Sequence, residues 1–299
     1  MNSIETLTVY LGSSGHARPV FNESARALGA LIAGNGKKLV YGGMDAGLMG
    51  ILAKSTLEAG GHVTGIIPQN LKDSERILGG LSETILVEEL SDRKKRMFLM
   101  ADAIIALPGG FGTLDESLEV LYWGAKKLHA KPLVLVNIEG YWNALLPYLK
   151  ALPDFHAAYL IVAETLEDIF PALDAWQPPH IPALMHQHYP HFEDEIMRDT
   201  DEPIFIDKAS VENTYFAICA MGLKQLHKTK RAIGLLNTNG QFDGLINWLQ
   251  IAAQETFITQ NCLKLFTVDD DEKDLRETLK HQKYVEIDLH NAKWGERSE

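Results

Sequence analysis

A run of five apolar residues, Ala103-Ile104-Ile105-Ala106-Leu107, passes directly into Pro108-Gly109-Gly110-Phe111-Gly112-Thr113-Leu114-Asp115-Glu116, and this junction constrains the fold more than any other stretch of the chain. The run is short and β-branched enough for a buried parallel strand, and helical periodicity begins after it. Strand, glycine loop and helix in that order suit a phosphate. Gly109, Gly110 and Gly112 leave backbone amides uncovered, so several N–H groups can converge on one anion at a helix N-terminus carrying about half a positive charge. Asp115 and Glu116 then place carboxylates beside that anion.

The preceding residues repeat the alternation. Strands are expected at Thr6 to Leu11, Lys38 to Tyr41, Val63 to Ile67 and Thr84 to Val87, with helices over Phe21 to Ala33, Leu48 to Glu58 and a segment capped by Ser91. Further on, strands at Leu133 to Val136 and Leu160 to Val162 alternate with helices at Trp142 to Leu149 and Leu166 to Phe170. Such alternation predicts an α/β fold, a Rossmann-like doubly wound parallel sheet. Its ligand crevice lies at the carboxyl ends of the strands, where the glycine loops at 12–15, 42–47 and 109–112 all fall. None is a G-x-G-x-x-G fingerprint or a G-x-x-x-x-G-K-[ST] loop, which disfavours NAD enzymes and P-loop NTPases. The polar stretch from Pro68 through Gly80 is long enough to act as a lid.

A formal charge of -12 argues against a nucleic-acid surface, because phosphate backbones are held by massed Lys and Arg. A bound nucleotide is therefore expected as a small ligand in a local pocket. No apolar run approaches the roughly 18 residues of a membrane span, and no secretory signal pattern opens the sequence, so the expected location is cytoplasmic. Cys219 and Cys262 lack metal-ligand spacing and read as reduced, buried residues. His180, His186, His188 and His191 cluster after a proline-rich break but show no recognised ligand spacing, so no metal and no cofactor are expected.

The chain divides into three: residues 1–175 as a nucleotide-binding catalytic domain, 176–200 as a Pro/His-rich linker, and 201–299 as a smaller, non-catalytic α/β unit. That unit echoes the first, since Lys131 to Trp142 resembles Lys230 to Phe242, and Pro203 to Ile206 falls where the strand before the glycine loop should be. The next residues, Asp207 to Asn213, contain no glycine. A degenerate partial duplication is the expectation, with one working site per chain.

Thr113-Leu114-Asp115-Glu116 also reads as a capping box, with Thr113 as the cap and Glu116 reaching back to it. Arg93 and Lys94, on the helix after a neighbouring strand, supply cations for a phosphate or a carboxylate partner.

Taken together, these motifs resemble the Lonely Guy (LOG) family of cytokinin-activating nucleotide phosphoribohydrolases, long mislabelled as lysine decarboxylases. The family's P-G-G-x-G-T-x-x-E signature is met by Pro108 through Glu116, its R-K-x-x-M element by Arg93, Lys94 and Met97, and its G-G-x-x-x-G-L-M-G element by Gly42 to Gly50. Its first loop is met by Gly12 to Gly15, one residue tighter, and the match runs from about Thr6 to Leu173. The resemblance implies hydrolysis of the N-glycosidic bond of a purine nucleoside 5′-monophosphate, cytokinin-type or AMP, to free base and ribose 5-phosphate. It implies Arg93 and Glu116 as catalytic residues, and Glu119 as a further family glutamate. Gly12, Ser13, Gly42, Gly43, Lys94, Gly109, Gly110, Gly112 and Thr113 are the expected substrate and phosphate contacts, and the resemblance adds Glu119 to them. An ionised Glu116 would stabilise the cationic ribose or serve as base. The chain departs from many members at Trp123-Gly124-Ala125, where a glutamine usually follows the tryptophan, and residues 174–299 lie outside the minimal family domain. Two alternatives remain: a broad-specificity nucleotide nucleosidase, and a non-catalytic nucleotide or molybdenum-cofactor carrier. A homodimer is expected, with the amphipathic segment Leu118 to Leu128 as its face.

Overall fold

The computed structural model describes residues 4–69, 77–181 and 188–289. Seven parallel strands form the main sheet: β1 (Thr6–Tyr10), β2 (Lys38–Tyr41), β3 (Val63–Pro68), β4 (Glu83–Val87), β5 (Ala103–Ala106), β6 (Leu133–Val136) and β7 (Leu160–Ala163). Their spatial order, β4-β3-β2-β1-β5-β6-β7, reverses direction between β1 and β5. At that reversal the connections leave to opposite faces of the sheet, which opens a crevice at the strands' carboxyl ends. Leu7 pairs with Ala103 and Tyr10 with Ala106, so the loops after β1 and β5 emerge side by side. Both strands are buried on both faces, as their continuous apolar runs require.

Helices α1 (Pro19–Gly34), α2 (Gly47–Glu58), α3 (Leu90–Met100) and α4 (Phe111–Ala125) follow β1, β2, β4 and β5. Helix α5 (Leu145–Ala151) follows β6, and α6 (Ile169–Ala175) follows β7. Two expected caps are corrected. Ser91 lies inside α3, whose N-cap is Glu89 in a reciprocal capping box with Asp92. Helix α4 begins at Phe111 with Gly110 as N-cap, so Thr113 does not cap it and Glu116 falls in its second turn. Glycine at the loop end lets the helix start before the threonine is reached. The helix expected from Trp142 begins only at Leu145, because the Asn137 side chain holds the Trp142 amide in a turn at 2.9 Å.

A second parallel sheet, ordered β10-β9-β8, is built from β8 (Ile204–Ile206), β9 (Ile233–Leu236) and β10 (Thr267–Asp269). Four helices accompany it: α7 (Glu193–Ile196), α8 (Val211–Gln225), α9 (Asp243–Gln254) and α10 (Glu272–Lys280). Its turns match those of the first half at positions 100 residues apart: Lys127 and His227 both have φ of 58°, and Glu139 and Asn239 have φ of 50° and 57°. The Asn237 side chain accepts from the Phe242 amide at 2.7 Å, as Asn137 does from Trp142.

Helix α8 packs on α4, and α9 on α5, with the Trp142 and Trp248 rings stacked 7° from parallel. This corrects the expected dimer face, because Leu118 and Leu121 of α4 are buried within the chain. Cys219 and Cys262 are buried, and neither is in a disulfide. Among the described residues, no helix is long and apolar enough to cross a membrane, and no group of three or more His, Cys, Asp or Glu is placed to hold a metal ion. His186, and residues 70–76 of the expected lid, lie outside the described residues.

Candidate active site

Three loops meet at the crevice. Gly12 donates its amide to the Pro108 carbonyl at 3.1 Å and accepts from the Leu48 amide at 3.1 Å, tying the β1 loop to the β5 loop and to the start of α2. Ser13 closes against the same start, its carbonyl oxygen 2.8 Å from where a Cβ on Gly47 would lie. Gly109 has no room for a side chain, since a Cβ would collide with Thr113 and lie 2.8 Å from the Gly12 amide nitrogen. Its carbonyl accepts from the Tyr141 hydroxyl at 2.6 Å. Gly43 has φ of 77°, and its carbonyl accepts from the Leu78 amide at 3.2 Å. Gly112 faces open space, with nothing within 4 Å of its would-be Cβ, and α4 begins without a side-chain cap. The first turn of α4 thus carries an exposed Gly112 and no side-chain cap among the described residues, and a helix N-terminus of this kind favours an anion.

Arg93 crosses from α3 toward both β2 and α4. A Cβ on Gly42 would lie 3.3 Å from its Nη1, while its Nη2 is 3.7 Å from Glu116 Oε1. Its Nε is buried without a hydrogen-bond partner among the described residues. Glu116 is buried, and burial pushes its carboxyl up to about 7 against the attraction of Arg93 and Lys94. The expectation that Glu116 is held ionised by the helix end and Arg93 meets an opposing force, since desolvation in the second turn of α4 raises its carboxyl despite its cationic neighbours.

Behind this pair, the Lys94 ammonium is buried among three carboxylates, 2.6 Å from Glu193, 2.9 Å from Asp115 and 3.4 Å from Glu119. Burial opposes its charge, but Asp115, Glu119 and Glu193 hold its proton well above the usual lysine range. Glu119 is pushed up to about 8 by burial, and burial likewise raises Asp115. One ammonium cannot neutralise three buried carboxylates, so the cluster retains protons that ordinary acids would release. Tyr215 of α8 donates to Glu119 at 2.5 Å, and His191 lies 3.0 Å from Glu193. Lys94 is therefore a buried brace beneath the site rather than an exposed phosphate contact, and Glu119 faces it. Thr113 is buried beside Gly109.

The structure brings Arg93, Glu116 and the three glycine loops together, and adds groups that local sequence patterns could not reveal. Tyr215, Glu193 and Phe257 come from the second half, and Tyr141 from the turn after β6; each reaches the site through tertiary packing without a motif of its own.

Fold and site together define a Rossmann-like α/β protein with a glycine-lined, anion-accepting crevice and an arginine–carboxylate pair at its edge. The family described as "Possible lysine decarboxylase" matches residues 49–173. The chain is 38% identical over 176 residues to the cytokinin riboside 5′-monophosphate phosphoribohydrolase LOG5 of Arabidopsis thaliana, covering 57% of this chain and 77% of that protein. It is 40% identical over 148 residues to LOG7 of the same plant, covering 50% of this chain and 68% of that protein. A solved molybdenum cofactor binding protein from Rippkaea orientalis aligns with 23% identity and a TM-score of 0.46, over 58% of this chain and 98% of that one. The chain belongs to the LOG family.

Proposed function

We propose that the chain hydrolyses the N-glycosidic bond of a purine nucleoside 5′-monophosphate, cytokinin-type or AMP, giving free base and ribose 5-phosphate. The observation that carries this reading is the Arg93–Glu116 pair, 3.7 Å apart, beside the uncapped N-terminus of α4 at the sheet's switch point. The second half supplies a contrast. At the N-terminus of α8, the Asp154 carboxylate accepts from the Val211 amide at 2.6 Å and from the Glu212 amide at 3.3 Å. Val211 and Glu212 correspond to Phe111 and Gly112 at the start of α4. A carboxylate of the protein fills the anion position in one half, and the open counterpart suits a substrate's 5′-phosphate.

In this reading the amides at 109–113, with the Gly12-Ser13 and Gly42-Gly43 loops, hold the phosphate, and the ribose extends toward Glu116. The C1′–N bond breaks with its electron pair leaving on the base, which takes up a proton. Water oxygen bonds to C1′, and its proton passes to Glu116. Ionised Glu116 also stabilises the oxocarbenium-like ribose at the transition state, as carboxylates do in glycoside hydrolysis. Arg93 orients Glu116 and adds positive charge near the phosphate. The reaction consumes a nucleotide of the cytoplasm and has one site per chain. The α4 face is covered by α8, so a homodimer would form through a different surface.

Base release from AMP, GMP, CMP and isopentenyl-AMP tests the reading and ranks its substrates. Purine monophosphates are expected to yield base and ribose 5-phosphate in equal amounts. Comparable turnover of CMP would favour the broad nucleosidase, and binding without time-dependent ribose 5-phosphate would identify a carrier.

A further inference from the structure

The crevice is closed on one side by a segment outside the family-matched region. After α9 the chain makes a hook at residues 255–258, with Thr256 in the left-handed region at φ of 62° and the Phe257 and Ile258 amides both donating to the Ala252 carbonyl, at 2.9 and 3.2 Å. The hook grips the β1 loop and the β5 loop at once. Glu255 pairs with Arg18 at 2.5 Å, and the Thr256 hydroxyl donates to the His16 carbonyl at 2.8 Å. The Phe257 ring covers Gly12, where a Cβ would sit 2.6 Å from its edge. On the other loop, a Cβ on Gly110 would lie 2.6 Å from the Phe257 carbonyl oxygen and 2.9 Å from the Ile258 side chain. The ring itself is locked by Phe21 and Tyr141, with centroids 5.2 and 5.3 Å away, and Tyr141 also donates to the Gly109 carbonyl.

The opposite contact joins the corresponding elements through a different residue. The connection from α5 to β7 carries Asp154 to the N-terminus of α8, while the connection from α9 to β10 carries Phe257 and Ile258 to the N-terminus of α4. Each unit's helix-to-strand connection closes the other unit's strand-to-helix loop, and α4 meets α8 as α5 meets α9. Such reciprocal contact between equivalent surfaces is the mark of a two-fold interface, here contained in one chain.

We infer that the 255–258 hook is a positioning device for substrate phosphate: the second half acts as an in-chain second subunit, and Phe257 holds the 12–15 and 109–112 loops at the spacing that lets their amides converge on one phosphate. This rests on the proposed function for the identity of the ligand, and the hook's geometry stands apart from it. Gly12 and Gly110 are glycine because Phe257 and Ile258 occupy the space a Cβ would need, and the Gly12 amide, donated to the Pro108 carbonyl, ties the two loops to each other.

The test is Phe257→Ala in the full chain, with KM and kcat for AMP and the affinity for inorganic phosphate and ribose 5-phosphate, read as protection against thermal unfolding. KM and both dissociation constants are expected to rise about 10-fold, a loss of about 1.4 kcal/mol in phosphate binding, while kcat falls less than about threefold on the same scale. Phe257→Leu is expected to restore most of the affinity. Should Phe257→Ala not fold, Glu255→Gln loosens the hook from its exposed side and is expected to shift the same constants in the same direction, by about two- to threefold. A folded variant that melts earlier with all three constants unchanged overturns the inference and leaves the hook a packing element. A wild type that binds phosphate but releases no base from any monophosphate contradicts the proposed function alone, and the phosphate affinities still decide the hook.

Discussion

Glu116 Oε1 lies 3.7 Å from Arg93 Nη2, inside the sheet's switch-point crevice, and burial still raises the carboxyl to about 7. The arginine is close enough to orient this acid and too far to make it a permanently ionised one. Activity that needs Glu116 ionised is therefore expected to rise with pH. The kcat/KM profile for AMP should show an ascending limb with an apparent pKa near 7. A limb that descends through that range would make Glu116 the proton donor to the leaving base.

The same burial makes the site costly to the fold. A carboxyl whose proton affinity is higher folded than unfolded contributes stability below its unfolded pKa, and that contribution is lost as pH rises through the folded value. Glu116 and Glu119, raised to about 7 and about 8, make the protein less stable at pH 9 than at pH 5 as far as these two groups go. Glu116→Gln is expected to raise stability at pH 9 by on the order of 1–3 kcal/mol while changing little at pH 4. Urea melts at both values check this, and equal effects at the two would contradict it.

Arg93→Ala removes the group that touches the Gly42 loop on one side and Glu116 on the other. KM for AMP is expected to rise and kcat to fall, each by about tenfold or more, because a buried charge contact is lost in both ground and transition states. Steady-state kinetics read both. Unchanged values would leave Arg93 without a part in the chemistry.

Asp154 stands in for an anion at the N-terminus of α8. Replacing it with alanine is expected to cost about 1 kcal/mol of stability, the usual worth of a helix N-terminal acceptor. The proposed catalytic site lies at α4, so kcat/KM at a temperature well below the melt is expected to stay within about twofold, by the near-independence of separated sites. Thermal melts and AMP turnover on one preparation separate the two effects.

Much of this architecture is legible in the sequence because parallel strands buried on both faces read as short apolar runs. Ala103 to Ala106 and Leu133 to Val136 appear where those runs predict them. The three glycine loops are legible for a related reason, since only backbone close to backbone makes Gly109 obligatory beside Gly12. The proton balance of Glu116 is not legible. Thr113-x-x-Glu116 carries the residue pattern of a capping box, and only the helix start at Phe111 shows that Glu116 is free of that bond. Nor does any local pattern announce that Tyr215, nearly one hundred residues from Glu119, donates to it, or that Phe257 closes on Gly12. Those relationships arise when α8 folds back on α4, and tertiary packing of that kind leaves no period or motif in the chain. The covered α4 face illustrates the same point: an amphipathic helix predicts that something apolar will bury it, without saying whether that partner is a second copy or the chain itself.

We propose that the Arg93–Glu116 crevice cleaves nucleoside monophosphates with Glu116 as the acting carboxylate. The most direct test of this tracks adenine and ribose 5-phosphate from AMP under single-turnover conditions, for the wild type and Glu116→Gln, with AMP affinity measured alongside. Equimolar products are expected from the wild type, and the variant is expected to bind AMP with similar affinity but to form products at least about 100-fold more slowly, the scale of a positioned acid–base group. A folded Glu116→Gln protein that releases adenine at the wild-type rate would contradict it.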